Sequence, residues 1–229
     1  MILSRSTGAE LQRRLNDAGV GPLKEDGAVG PATLAALFRY MGAGKHSSVL
    51  GSTAAVDFER FHVSTCLRIA HWFAQFAHES ANFQRYEENL NYSAKRLMAV
   101  WPKRFPTLAR AQQFANNPEA LANEVYGGRM GNVSPGDGWK YRGRGPMITG
   151  RENYKMAERG TGLPLLANPD MAAEPENFVA LACEYWDRRA CNPLADRDDL
   201  EGVTRIVNGG KIGLAERRAL LLKINRVLC

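Results

Sequence analysis

The fold and the chemistry of this chain both centre on residues 71–92, which read HWFAQFAHESANFQRYEENLNY. The apolar stripe of the predicted helix consists of Ile69, Trp72, Phe73 and Phe76. Glu79 follows about one helical turn later, so at about 100° per residue it projects from this apolar face. Because aromatic neighbours remove hydration from a charged carboxylate, we expect a raised pKa at Glu79, which suits a general acid.

A second carboxylate is expected to act with Glu79, and both Glu87 and Glu88 are candidates. Glu88 lies nine residues after Glu79, which on a continuous helix is about 900° and therefore the opposite face. If both groups serve one site, the helix must stop and the chain must fold back. Ser80 and Asn82 favour such a stop, because their side chains compete with the helix for backbone hydrogen bonds. Spacing alone does not choose between Glu87 and Glu88.

Other kinds of chemistry find little support in the sequence. Two alternatives would give Glu79 a purely structural role: a buried ion pair with an Arg, or a position at a frayed helix end. His71 and His78 share a helix face, but an HExxH motif is absent, the chain has four His, and no Cys stands at ligand spacing. We therefore predict no metal and no cofactor. The GxSxG and P-loop motifs are also absent. His78 is expected to orient a neighbour or to pack.

Composition restricts the class of protein. The 229 residues are 45% hydrophobic and 24% charged, and no run approaches 18 apolar residues, so we predict no stable membrane insertion. The net charge of +6 favours polyanionic partners such as an acidic wall polymer. Nucleic acid is not expected as a partner, because acidic residues are interspersed with the basic ones. The four cysteines are expected to be free thiols.

The organisation of the chain is predicted to be mainly α-helical. Residues 8–41 read as helix, turn and helix, and the Gly/Ser-rich residues 41–52 read as a linker. Further helices are expected near 53–63, 65–79, 93–100, 107–116, 118–125, 175–189, 199–208 and 213–227. The glycine-rich residues 127–150 predict a loop that lines a site, with at most a short β-hairpin around Trp139 to Ile148. The predicted domains are 1–45, a small helical module, and 46–229.

Four segments resemble the catalytic domain of glycoside hydrolase family 19, a group of chitinases and many bacteriophage endolysins. They read HWFAQFAHES, EENLNYSAKRL, GDGWKYRGRGPMITGRENY and VTRIVNGGKIGLAERRALL, and they stand in the order of the family. The ENLNYS form and the short chain look closer to phage endolysins than to plant chitinases. The resemblance implies an all-α, lysozyme-like fold with a long cleft and an inverting mechanism, in which the two carboxyls stand roughly 6.5–9.5 Å apart.

The resemblance also implies roles for individual residues. Glu79 matches the general acid, Glu88 the carboxylate that polarises the attacking water, and Thr149 a polar residue that helps to hold this water. Where the chain reads MITG, family endolysins usually read IQLTG. Substrate contacts are expected at His78, Glu87, Tyr92, Trp139, Tyr141, Arg142, Arg144 and Asn208. Tyr92, Trp139 and Tyr141 could stack on sugar faces, with core packing as the alternative for each.

The N-terminal segment, residues 11–40, resembles a small peptidoglycan-binding domain. Its signature, DG-x-x-G-P-x-T, is carried by Asp26, Gly27, Gly30, Pro31 and Thr33. The glycines permit a tight turn, and the proline begins the next helix. The alternative is a helical hairpin that extends the core. The C-terminal helix 213–227 is expected to close the core with Leu214, Leu221 and Ile224, the alternative being an action on an outer membrane.

Together these features predict a monomeric phage-type endolysin that hydrolyses β-1,4 bonds of peptidoglycan glycan strands, as a muramidase does. Because the N-terminus lacks the apolar core of a signal peptide, we expect the protein in the host cytoplasm until its release to the periplasm and cell wall at lysis. The first alternative is a chitinase. The second is a cell-wall-binding protein without catalytic activity.

Overall fold

The structure is a computed structural model that describes residues 2–146 and 148–228, and it confirms the predicted mainly α-helical fold. The helices are α1 Arg5–Asp17, α2 Pro31–Met41, α3 Ser47–Arg60, α4 Cys66–Glu79, α5 Ala94–Val100, α6 Leu108–Gln112, α7 Pro118–Tyr126, α8 Asp137–Lys140, α9 Arg151–Thr161, α10 Pro175–Arg188, α11 Asn192–Ala195, α12 Leu200–Asn208 and α13 Leu214–Leu228. Short 3-10 helices cover Gly44–His46 and Pro169–Ala173. Extended pairing in the described ranges is limited to isolated bridges, Glu87 with Arg144 and Arg144 with Ile148. The second bridge lies within the predicted hairpin.

The chain forms two compact units, each with a hydrophobic core. The first unit comprises Met1–Tyr86 and Ala172–Cys229, and the second comprises Glu87–Met171. In the first unit, α2 packs on α3, α3 on α10, and α4 on α13. In the second unit, α5 packs on α6 and α7 on α8. None of the described helices is both long and apolar enough to cross a bilayer.

The N-terminal helices share the core of the first unit. Leu11, Leu34 and Phe38 are fully buried in the same cluster as Trp72 and Phe73. The ring of Phe38 lies 4.7 Å from that of Phe73, between ring centroids. Such ring pairs add to the free energy of burial. Residues 2–45 therefore pack as part of the first unit, while the separate role of residues 1–45 as a wall-binding module stays a prediction.

The predicted linker over residues 41–52 is wrong. Its second half belongs to α3, which runs from Ser47 to Arg60. The low helix propensity of Gly and Ser suggested a linker, but tertiary packing overrides propensity here. Gly51 shows why, because a Cβ at this position would lie 2.4 Å from the backbone nitrogen of Ala35. A glycine allows α3 to approach α2 closely, so the residue type serves packing and not flexibility.

The C-terminal helix closes the core as predicted. Leu221, Ile224, Val227 and Leu228 of α13 are buried in the core of the first unit. The prediction of free thiols is confirmed for Cys183 and Cys191, which are both buried. It is wrong for Cys66, which is disulfide-bonded, because spacing along a sequence does not reveal which segments the fold brings together. Cys229 lies outside the described residues.

Candidate active site

Helix α4 ends at Glu79, and the chain reverses immediately afterwards, as the sequence predicted. Ser80 is fully buried, and its hydroxyl donates to the Phe76 carbonyl at 2.5 Å and accepts from the Phe83 amide at 3.0 Å. Three consecutive non-glycine residues have positive φ: Ala81 at 51°, Asn82 at 58° and Phe83 at 62°. Such strained backbone persists only where surrounding packing holds it, and here the buried Phe83 ring anchors the reversal.

A buried guanidinium holds the Glu79 carboxyl. Arg217 of α13 donates from Nη2 to Glu79 Oε1. The Arg217 side chain is fully buried, whereas that of Glu79 is 18% exposed. The sequence predicted aromatic rings around Glu79, and the structure adds a charged partner from α13, a helix far away in the sequence. The alternative of an ion pair with an Arg is thus present in the structure, with the carboxyl still reachable by solvent.

Arg217 is itself fixed by a hydrogen-bond network across three helices. Its Nη1 donates to Gln75 Oε1 at 2.6 Å and to the Gln75 carbonyl at 3.3 Å. Gln75 donates in turn to Thr204 Oγ1 at 3.1 Å. Both Gln75 and Thr204 are fully buried. Buried polar side chains of this kind restrict one another's rotamers, so the network sets where the Glu79 carboxyl stands.

His78 lies next to a glycine-rich loop of the same unit. Burial and the positive charge of Arg217 lower the pKa of the half-buried imidazole, which favours its neutral form. A Cβ on Gly213 would lie 2.4 Å from His78 Nε2, so the loop backbone packs on the ring. Asn208, the last residue of α12, is exposed at the start of this loop.

In the second unit, Glu88 is held by hydrogen bonds on both carboxylate oxygens. Gly143 donates its amide to Oε1 at 2.5 Å, and Tyr126 donates its hydroxyl to Oε2 at 2.7 Å. The Glu88 amide also donates to the Gly143 carbonyl at 2.9 Å. Burial raises the pKa of Glu88, and the two hydrogen bonds and the charge of Arg142 oppose part of that rise. A carboxyl with a raised pKa can accept or donate a proton closer to neutral pH.

Thr149 and Glu88 both approach Gly143. An ideal Cβ built on Gly143 would lie 3.0 Å from Glu88 Oε1 and 3.2 Å from Thr149 Oγ1. The carboxylate and the hydroxyl therefore both approach one glycine that lacks a side chain. Asn153 donates to the Thr149 carbonyl at 2.7 Å, which anchors this backbone to the start of α9. A carboxylate acceptor and a hydroxyl near the same glycine are groups that can hold a water molecule.

Glu87 has a different environment from its neighbour. It forms ion pairs with Arg142 and with Arg144, the latter at 3.6 Å. The Arg142 guanidinium stacks on the Trp139 ring, 3.6 Å from its centroid. Arg144 is 1% exposed and also donates to Asp170 at 2.5 Å. Glu87 thus braces the loop that follows α8, while Glu88 keeps neutral donors.

The aromatic candidates separate by exposure. Tyr141 is 2% exposed and packs against Tyr154 at 5.3 Å between centroids, so core packing accounts for it. Trp139 is half-buried, and its described ring partner is Arg142. Tyr92 is also half-buried and contacts the Trp101 ring at 5.4 Å. Trp139 and Tyr92 are therefore the members of this set with surface left for a sugar.

The N-terminal signature builds a tight turn in the first unit. Asp26 accepts from the Ala28 amide at 2.9 Å, and Gln12 accepts from the Gly27 amide at 2.8 Å. Gln12 also donates to Thr33 Oγ1 at 3.1 Å. Gly30 precedes Pro31 at the start of α2, as predicted. A cavity of about 380 Å³ lies beside this turn, lined by Arg5, Val29, Ala55 and neighbouring residues.

Sequence reasoning missed two residues that hold the candidate carboxyls. A signal for Arg217 did exist, because it occupies the same helical face as Leu214, Leu221 and Ile224. No comparable signal exists for Tyr126, which meets Glu88 across 38 residues of sequence. Among residues 2–146 and 148–228, no group of three or more His, Cys, Asp or Glu side chains is arranged to hold a metal ion.

Comparison with known proteins identifies relatives of this chain. A Haemophilus influenzae protein described as a glycosyl hydrolase family 19 domain-containing protein is 40% identical over 163 residues, which are 68% of this chain and 80% of that protein. Two endochitinases of Arabidopsis thaliana also match. One is 37% identical over 178 residues, 76% of this chain and 51% of the endochitinase. The other is 36% identical over 93 residues, 40% of this chain and 32% of the endochitinase. No protein-family model matches the chain.

Proposed function

The chain belongs to glycoside hydrolase family 19, and from this membership we propose that it is an endolysin that hydrolyses the β-1,4 glycosidic bonds of bacterial peptidoglycan. Its enzyme class, glycoside hydrolase, follows from the family. The observation that carries the proposed chemistry is that a half-buried carboxyl, Glu88, and the Thr149 hydroxyl both lie close to Gly143. In an inverting glycosidase a carboxylate activates the attacking water as general base, and a hydroxyl near it can help to hold that water.

The proposed reaction assigns one role to each of three side chains. Glu79 donates its proton to the glycosidic oxygen as the bond from that oxygen to the anomeric carbon breaks. A water molecule, held by Thr149, attacks the anomeric carbon, and Glu88 takes the proton that this water releases. The product then has the inverted configuration. Glu87 is not assigned the second role, because two arginines already bind its carboxylate.

Peptidoglycan is proposed as the substrate for two reasons. The net charge of +6 favours an anionic wall over a neutral polysaccharide. The N-terminal segment also resembles a wall-binding domain, and a cavity lies beside its signature turn. We propose cleavage on the muramic acid side by a monomer, without nucleic acid as a partner. The protein would accumulate in the host cytoplasm and reach the wall at lysis.

The test is mass spectrometry of the sugar ends that the protein releases from purified sacculi. Reducing muramic acid ends support the proposal, reducing glucosamine ends indicate the other linkage, and absence of new ends refutes it. Glu79→Gln should reduce lysis by at least several orders of magnitude while the variant stays folded, with a lower melting temperature because the ion pair with the buried Arg217 is lost. Glu10→Gln, an exposed glutamate of α1 that pairs with arginines, is the matched control and should lyse normally. NMR of the nascent product reports whether the anomer is inverted.

A chitinase is the second candidate, since two of the relatives are named endochitinases. Both proposals use the same carboxyls and differ in the polymer that binds. Purified sacculi and chitin oligomers should be compared at equal enzyme concentration and at two salt concentrations. Cleavage of chitin oligomers without cleavage of sacculi would overturn the endolysin in favour of the chitinase.

A further inference from the structure

The second carboxyl of the proposed reaction has a partner that no sequence motif includes. Tyr126 is the last residue of α7, and its hydroxyl donates to Glu88 Oε2 at 2.7 Å. We propose that Tyr126 is a positioning residue, which fixes the Glu88 carboxyl so that its other oxygen is aimed beside Thr149. This inference rests on the proposed role of Glu88 as the group that activates water.

The geometry divides the two oxygens of Glu88 between two donors. Oε1 accepts from the Gly143 amide and lies on the side of Thr149, while Oε2 accepts from Tyr126. One donor per oxygen removes rotation about the last side-chain torsion, which is otherwise broad in glutamate. A carboxylate held in this way needs no reorganisation when water binds.

The tyrosine is well anchored for this purpose. Asn132 is almost fully buried and donates to the Tyr126 carbonyl at 3.0 Å, while its own side-chain oxygen accepts from the Arg151 amide at 2.8 Å. Burial, together with the adjacent Glu88, raises the pKa of the Tyr126 hydroxyl well above its usual range. The phenol therefore stays protonated, and able to donate, at neutral pH.

The electrostatic consequence has a definite sign. A donor to a carboxylate stabilises its charged form, so the Tyr126 hydroxyl lowers the pKa of Glu88 against the rise caused by burial. Without this hydroxyl, Glu88 would ionise at a higher pH. Because the proposed base must be ionised to accept a proton, the fall of activity on the acidic side should move to higher pH.

The experiment is the pH profile of kcat/KM for the full-length Tyr126→Phe variant on purified sacculi or soluble glycan fragments. We expect the acidic limb to move to higher pH, with kcat reduced about tenfold or more on that limb and KM nearly unchanged. Tyr154→Phe is the matched control, because Tyr154 is a buried tyrosine of the same unit whose hydroxyl donates to the Arg142 carbonyl at 2.8 Å. It should lower the melting temperature without moving the acidic limb.

Two outcomes would overturn the inference. One is a Tyr126→Phe variant that loses activity equally at all pH values, as a merely destabilised protein would. The other is an unshifted Glu88 titration in that variant, followed by carbon NMR of labelled glutamate, a readout that does not depend on activity. Full activity of Glu88→Gln would instead refute the proposed role of Glu88, so failure of the inference and failure of the proposed function are distinguishable.

Discussion

Arg217→Met tests whether a buried ion pair, and not aromatic packing, holds the end of α4. Methionine keeps much of the volume of arginine but removes the charge and all donors. The change leaves the Glu79 carboxylate and the Gln75 side-chain oxygen without their donor. Removing one partner of a buried ion pair costs about 3–5 kcal/mol. Because Glu79 is 18% exposed and can recover some hydration, we expect a loss of about 2–4 kcal/mol in the free energy of unfolding.

The assay is equilibrium unfolding in urea, with thermal melts as a second measurement. A loss of this size should lower the melting temperature by about 4–16 °C in a chain of this length. Arg205→Met is the control, since Arg205 pairs with Glu201 at 3.0 Å on the surface with side chains 55% and 44% exposed. Such exposed pairs contribute about 0–1 kcal/mol. A cost for Arg217→Met no larger than that of Arg205→Met would refute the reasoning.

A double-mutant cycle isolates the pair itself. Glu79→Gln and Arg217→Met should be strongly non-additive, because each variant alone disrupts the same contact. Arg217→Lys should recover only part of the stability, since a single ammonium cannot replace the guanidinium fork that reaches both Gln75 and Glu79. Additive costs in the cycle would mean that Arg217 stabilises the fold through Gln75 and not through the carboxyl.

Two further predictions concern single residues in different parts of the fold. Gly143→Ala would place a methyl group 3.0 Å from Glu88 Oε1 and 3.2 Å from Thr149 Oγ1. We therefore expect about tenfold or greater loss of kcat in glycan hydrolysis with little change in melting temperature. An undiminished kcat would show that the reaction does not use the space beside Gly143. Asp57→Asn should raise the melting temperature at pH 7, because burial raises the pKa of Asp57 and its charged form therefore opposes folding at neutral pH. The gain should vanish as the pH falls below about 4, where the unfolded carboxyl is also protonated; a gain that persists there would contradict the electrostatic reason.

The sequence predicted α4 and its abrupt end well, because both depend on local patterns. The apolar stripe of α4 and the polar residues after Glu79 lie within one short segment. The side chain of Ser80 then terminates the helix by local hydrogen bonds. Helices and their ends are the features that a single sequence predicts best, because they depend on local periodicity and capping residues.

Features that depend on contacts between distant segments were predicted poorly from the sequence. Residues 41–52 look flexible by composition, yet Gly51 is selected by a close helix contact. Arg217 lies 138 residues from the carboxyl that it holds, and Tyr126 lies 38 residues from Glu88. Local periodicity reveals neither of these long-range contacts. Only Arg217 gives a hint in the sequence, because it is a charged residue on an apolar helix face.

The two candidate carboxyls are held by different chemistry. The partner of Glu79 carries a full charge, is completely buried and belongs to a network of side chains from α4, α12 and α13. The partners of Glu88 are a phenol and a backbone amide, both neutral. The two neutral donors orient the Glu88 carboxyl and lower its pKa, but the rise caused by burial is larger, so the pKa stays raised. Substitutions of Tyr126 should therefore appear mainly in the pH profile, and substitutions of Arg217 mainly in stability.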